Sequence, residues 1–108
     1  METVSFEDFK KIELKTAKVV EVEEIPGADK LWKLVIDTGA GKKTIVAGIK
    51  TAYSQESLLG KNIIVVNNLA PAAIRGVESH GMLLAAKDGG VLSLVTPDKE
   101  LPPGSVVS

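Results

Sequence analysis

"KTIVAGIKTAYSQESLLGKNIIVV", residues 43–66, joins two β-branched runs through a segment that breaks the strand pattern. Ile45, Val46 and Ile49 favour an extended, half-buried chain. Ser54 then fits an N-cap, Glu56 falls in the first turn, and Gly60 suits the position just past a helix end. "NIIVV" resumes the strand pattern at Asn62. The spacing predicts a strand, one short helix and another strand.

Working outward, the same short-strand rhythm continues on both sides. "SFEDFKKI" (5–12) places Ser5 three residues before Asp8, with Phe6, Phe9 and Ile12 spaced to share one face. That predicts a short capped helix with its phenylalanines packed inward. Leu14 to Ile25 reads as a long strand. Pro26-Gly27 reads as the centre of a type II turn. In "LWKLVIDT" (31–38), Trp32, Leu34 and Ile36 alternate with Lys33 and Asp37, and "GAGKK" (39–43) closes a hairpin onto the next strand. Beyond Val66, "SHGMLLAA" (79–86) and "VLSLVTP" (91–97) are two further strands, joined at "KDGG" (87–90). Short strands with one small helix between the third and fourth predict an all-β fold with short helices. It is a five-stranded Greek-key barrel of the OB type, with a turn-rich C-terminal extension. A two-sheet sandwich is the alternative. "IIVV" (63–66) is apolar on both pleat faces, so its outward face needs a loop, a helix or a second subunit over it. In a chain this small a homodimer supplies such cover.

At 108 residues the length fits a single domain spanning 1–108. Hydrophobic residues make up 44% and charged residues 25%, the composition of an ordinary globular protein. No apolar run reaches membrane-spanning length, and no secretory signal opens the chain. With no cysteine, disulfides and thiolate metal sites are excluded, and the cytoplasm is the simplest compartment. The net charge is −1, but its distribution is uneven. Between Lys30 and Lys87 eight basic residues face three acidic ones, which points to an anionic partner on one side.

No catalytic constellation emerges, and no cofactor or metal is called for. His80 is the sole histidine, and its neighbour Ser79 points to the opposite pleat face. "GAGKK" lacks the spacing of a phosphate loop. The aromatic residues are few. Phe6, Phe9 and Trp32 are expected in packed positions, leaving too few rings to stack bases. If RNA is the anion, phosphates, 2′-hydroxyls and overall shape must carry recognition.

Five segments, in this order, bear a specific resemblance: "ADKLWKLVIDTG" (28–39), "IVAGI" (45–49), "LLGKNIIVV" (58–66), "IRGVESHGMLLAA" (74–86) and "PDKELPPG" (97–104). They resemble the tRNA-binding domain at the C-terminus of methionyl-tRNA synthetases, in free-standing tRNA-binding proteins and in synthetase cofactors. The resemblance implies an OB fold, a homodimer and structure-specific binding of folded tRNA without catalysis. It further implies a stand-alone β subunit working with a methionyl-tRNA synthetase catalytic chain. An assembly module of little RNA affinity and an export-related chaperone of the same fold are the other readings.

Carried over by residue, the resemblance makes Lys30 and Arg75 phosphate contacts, Ser79 a partner for a 2′-hydroxyl, and Met82 a surface for ribose or base. Gly76 and Gly81 would be the turns that bring backbone close. Lys33, Lys42, Lys43 and His80 complete the expected RNA-binding set. The resemblance departs at "NLAPAAIRG" (68–76), where Ala70, Ala72 and Ala73 stand at positions that are commonly basic. Fewer phosphate contacts there imply weaker binding in isolation, or avidity from two sites in a dimer.

Overall fold

The computed structural model describes residues 1–108. Strand β1 (Leu14–Glu24) is the spine of the molecule. Its first half pairs antiparallel with β4 (Asn62–Val66) and its second half with β2 (Trp32–Asp37). The handover coincides with a register shift between Val19 and Glu21, a bulge that bends the strand. With β3 (Lys42–Ala47) beyond β2 and β7 (Met82–Leu83) beyond β4, the order is β3-β2-β1-β4-β7. The sheet curls until its two edges nearly meet. Between them the His80 N–H donates to the Thr44 carbonyl at 2.9 Å. The result is the expected five-stranded barrel, nearly closed, with two-stranded sheets added.

The local signals behave as their chemistry dictates. Ser5 caps α1 (Phe6–Phe9) by accepting from the Asp8 N–H, and Ser54 caps α2 (Gln55–Leu58) by accepting from the Ser57 N–H. Leu34, Ile36, Ile45, Ile63 and Val65 alternate inward along their strands and are fully buried, and Leu58 from α2 enters the same core. The Trp32 indole lies in that core too, its N–H donated to the Tyr53 carbonyl at 2.8 Å. No helix is long and apolar enough to cross a membrane.

Two features depart from the sequence expectation, and a third decides among the covers expected for β4. First, residues 79–86 are not one strand, and a hairpin leads into them. The order is the hairpin of β5 (Ala72–Ile74) and β6 (Val77–Ser79), then β7, then β8 (Ala85–Asp88), which pairs with β9 (Val91–Leu94). Gly81 breaks the run at φ +138°, where a Cβ would lie 2.9 Å from the Val66 carbonyl oxygen. Second, Phe6 is 70% exposed and Phe9 38% exposed, because the four-residue α1 lies outside the barrel. Third, Ile64 and Val66 on the outward face of β4 are already buried. Their cover comes from the same chain and no second subunit is needed there. The Ile64 N–H donates to the Val95 carbonyl, and Thr16, paired with Ile64, is clasped by the C-terminal segment.

That clasp anchors the C-terminal extension. The Thr16 hydroxyl donates to the Pro102 carbonyl at 2.9 Å and accepts from the Ser105 N–H at 2.9 Å. Its backbone carbonyl accepts from the Gly104 N–H, and its N–H donates to the Ser105 carbonyl. Strand β10 (Val106–Val107) then pairs with Leu14 and Lys15. The extension also presses on the β2–β3 hairpin, where Gly39 and Gly104 meet backbone to backbone. A Cβ on Gly104 would stand 2.5 Å from the Thr38 carbonyl oxygen. Gly104→Ala therefore combines a left-handed φ with a backbone clash, and a loss of about 3 kcal/mol is expected. Gly60 has a similar φ of +81° with nothing within 4 Å of such a Cβ. Gly60→Ala is expected to cost about 1 kcal/mol. Urea midpoints of the two variants check the difference.

Candidate nucleic-acid interface

A second, smaller cluster outside the barrel positions the interface. Val46 projects from the outer face of β3, and Ile25 and Ala28 from the β1–β2 loop bury against it. Leu31, and Ile74 and Val77 from the β5–β6 hairpin, complete the cluster. Apolar burial of this kind contributes about 25 cal/mol per Å² removed from water. It holds the loop and the hairpin together on one strand.

Their tips carry the two cations that the sequence singled out first. Lys30 ends the β1–β2 loop, and its carbonyl accepts from the Lys50 N–H at 3.2 Å. Arg75 sits at the hairpin tip. Both line one depression of about 400 Å³, with Gly27, Ala28, Asp29 and Leu31 around them. Neither Lys30 nor Arg75 takes part in any of the four ion pairs of the chain. The guanidinium is therefore free to present its planar fork to a phosphate.

Arg75 holds that place under backbone strain. Arg75 at φ +53° and Gly76 at φ +80° are the two central residues of a type I′ turn. Gly76 adopts this region freely, whereas Arg75 is the only non-glycine residue of the chain with positive φ. A side chain of this kind costs roughly 1–2 kcal/mol there. Asparagine is the residue such a turn prefers.

A second depression of about 480 Å³ lies toward the other end of β3, lined by Lys42, Lys43, Thr44, Asn67, Leu69 and His80. The Lys43 ammonium donates to the Asn67 carbonyl at 2.7 Å. Burial pushes its pKa below the ordinary lysine value, and the Glu13 carboxylate partly opposes that shift. His80 Nε2 stands 2.9 Å from a Glu78 carboxylate oxygen.

The remaining expected contacts fare differently. Ser79 is only 4% exposed, and its hydroxyl accepts from the Val46 N–H and donates to the Gly81 carbonyl. The first ties the hairpin to β3 and the second closes the turn after β6, so the hydroxyl is engaged within the fold. Lys33 projects from β2 beside Glu23, 3.7 Å away, and lines neither depression. Met82 is 44% exposed on β7, opposite Val66, and also lines neither. Gly81 is the close backbone approach already described. Sequence reasoning missed Asn67, whose carbonyl aims Lys43, and Lys50. Lys50 fixes Lys30 through its backbone, while its ammonium pairs with Glu24 at 3.0 Å and stacks over Trp32 at 4.8 Å. "NN" in a turn after a strand was the available signal for Asn67.

Comparison with known proteins shows the family. The family described as "Putative tRNA binding domain" matches residues 14–106. The chain belongs to that family. It is 51% identical over 105 residues to the methionine–tRNA ligase of Thermotoga maritima, covering 97% of this chain and 17% of that ligase. It is 50% identical over 107 residues to the Pyrococcus horikoshii ligase, covering 99% of this chain and 15% of that protein. The chain thus spans a small fraction of the length of these relatives. Among solved structures, the MetRS-related protein of Pyrococcus horikoshii superposes with a TM-score of 0.93 at 38% identity, with all of both chains covered. The chaperone CsaA of Bacillus anthracis superposes with a TM-score of 0.89 at 33% identity, covering 99% of this chain and 100% of that one.

The strain at Arg75 generates a stability prediction independent of any ligand. Arg75→Asn is expected to raise folding stability by about 1 kcal/mol, since asparagine tolerates the left-handed region. Chemical denaturation in the absence of RNA reads this directly. An unchanged or lower midpoint contradicts the strain.

Proposed function

We propose that this chain binds folded tRNA without catalysing a reaction, as a homodimer that acts as the β subunit of a methionyl-tRNA synthetase. The observation that carries the reading is the convergence of Lys30 and Arg75, both without carboxylate partners, on one depression outside the barrel. Two loops of an OB-type barrel flank that depression, the place where such barrels take oligonucleotides. The scarcity of exposed aromatics there favours contacts to phosphate over base stacking. The MetRS-related protein that superposes along its whole length supports a role beside the synthetase.

The dimer rests on a surface other than β4. A groove of about 400 Å³ runs between α1 and β10, with Phe6, Phe9, Ile12, Leu14 and Val106 among its lining residues. Phe6 and Val106 are 70% and 78% exposed. A second copy covering this face removes both from water and brings two RNA-binding surfaces into one particle.

One observation favours a second reading. The CsaA chaperones share the fold over nearly the whole chain, and the same apolar groove would suit unfolded clients. On that reading the protein suppresses client aggregation, with no dependence on Arg75.

Anisotropy titrations with labelled folded tRNA, against unfolded RNA of equal length, test the first reading. Preference for folded tRNA and a negative dependence of log K on log salt are expected. Arg75→Ala is expected to weaken binding about 10-fold near 0.1 M salt. Absence of saturable tRNA binding together with Arg75-independent suppression of aggregation would establish the chaperone reading instead. For the dimer, light scattering should give twice the 11.4 kDa chain mass for the native protein. Phe6→Glu should give the monomer, with the circular dichroism spectrum retained because Phe6 lies outside the core.

A further inference from the structure

We propose that the depression formed by Lys42, Lys43, Thr44 and His80 is a second phosphate-binding point, so that one RNA backbone is held at both ends of a strip made by β3 and the β5–β6 hairpin. The inference rests on the tRNA-binding reading for the Arg75 end, and it adds the other end. Strand β3 runs from Lys42 to Ala47 along this strip, and β6 lies beside it. The His80 N–H donates to the Thr44 carbonyl, and the Val46 N–H donates to the Ser79 hydroxyl. Arg75 occupies the hairpin tip and His80 follows the hairpin base. At about 3.3 Å per residue, the two sites stand roughly 15 Å apart along the hairpin. A nucleic-acid backbone of a few nucleotides can span that distance.

The chemistry of the second depression suits an anion. Lys42 is exposed and in no ion pair. Lys43 gives one of its three donors to the Asn67 carbonyl, which leaves two for a ligand and fixes the ammonium on the wall. Its desolvation lowers its pKa, and a bound phosphate relieves this by restoring a partner for the charge. Thr44 adds a hydroxyl and His80 an imidazole. Two carboxylates act against an anion here. Glu13 faces Lys43, and Glu78 holds His80 Nε2. Glu78 is 64% exposed, so solvent screens its charge. Between the two cationic ends, Ala72 and Ala73 on β5, opposite Ser79 and Glu78, are exposed and uncharged. The positive charge of this surface is thus concentrated at its ends, and the small side chains between allow a backbone to lie close.

The test is the anisotropy titration with folded tRNA at a series of salt concentrations, on the full chain. Lys42→Ala with His80→Gln is expected to weaken binding about 10-fold and to reduce the salt slope by one to two contacts of roughly 0.7–0.9 each. Glu78→Gln, which removes the opposing carboxylate, is expected to strengthen binding two- to threefold, as a rough figure for one surface charge. Unchanged affinity and slope in the double variant, with Arg75→Ala still impaired, overturn the second point and leave the first. A native chain that binds no tRNA overturns the function proposed above. The depression is then judged by inorganic tripolyphosphate, followed through the amide and imidazole NMR signals of Thr44 and His80. Shifts in the native chain that vanish in Lys42→Ala support the anion site, and their absence overturns it.

Discussion

The outer face of β3 must be kept dry, and the interface depends on how that is done. Barrel strands alternate, so Ile45 and Ala47 fill the core while Val46 points outward. An exposed valine between polar neighbours would be unremarkable. Here it seeds a cluster of Ile25, Ala28, Leu31, Ile74 and Val77, drawn from two loops far apart in sequence. Ser79 reinforces the arrangement by accepting the Val46 N–H. A few buried aliphatic side chains, each worth about 1.5–3 kcal/mol, outweigh one strained residue. The hairpin can therefore hold Arg75 in the left-handed region without coming loose.

This ordering explains why a turn should carry an arginine at all. Left to turn chemistry, the tip would be Asn-Gly or Gly-Gly, as the β8–β9 hairpin shows with Gly89 and Gly90, both at positive φ. The two hairpins share a two-residue loop and differ in its residues. Only the one facing Lys30 departs from local preference. Strain of this sort persists where the surrounding packing over-determines it, and it concentrates at binding sites.

The barrel was legible in the sequence because its signals are local. Alternation in "LWKLVID", serine caps three residues ahead of a free N–H, and glycines at the turns each act over a few residues. The hairpin at 72–79 was not legible, because Arg-Gly is not the dipeptide that announces a type I′ turn. Ser79 was assigned to the surface for the same reason: with β6 unseen, nothing placed its hydroxyl against β3. Lys30 and Arg75 were named from resemblance, but that they share a depression follows from the Val46 cluster, a contact between segments some 45 residues apart in number. The phenylalanines of α1 carried the right helical spacing and the wrong inference. Spacing shows which residues share a face, not whether anything in the same chain covers it.

That last point relocates the case for a second subunit. The apolar pattern of "IIVV" calls for cover, and the chain itself provides it through Val95 and the segment clasped by Thr16. The exposed apolar face is the groove between α1 and β10. A polar network runs from that face to the cationic strip. The Glu13 N–H donates to Asn68 Oδ1, Asn67 Nδ2 donates to the Glu13 carboxylate, and the Asn67 carbonyl receives Lys43. Glu13 and Asn68 line the bare groove, while Asn67 and Lys43 line the depression. The groove and the depression thus share one short chain of hydrogen bonds, and the groups that aim Lys43 are anchored at the wall of the groove.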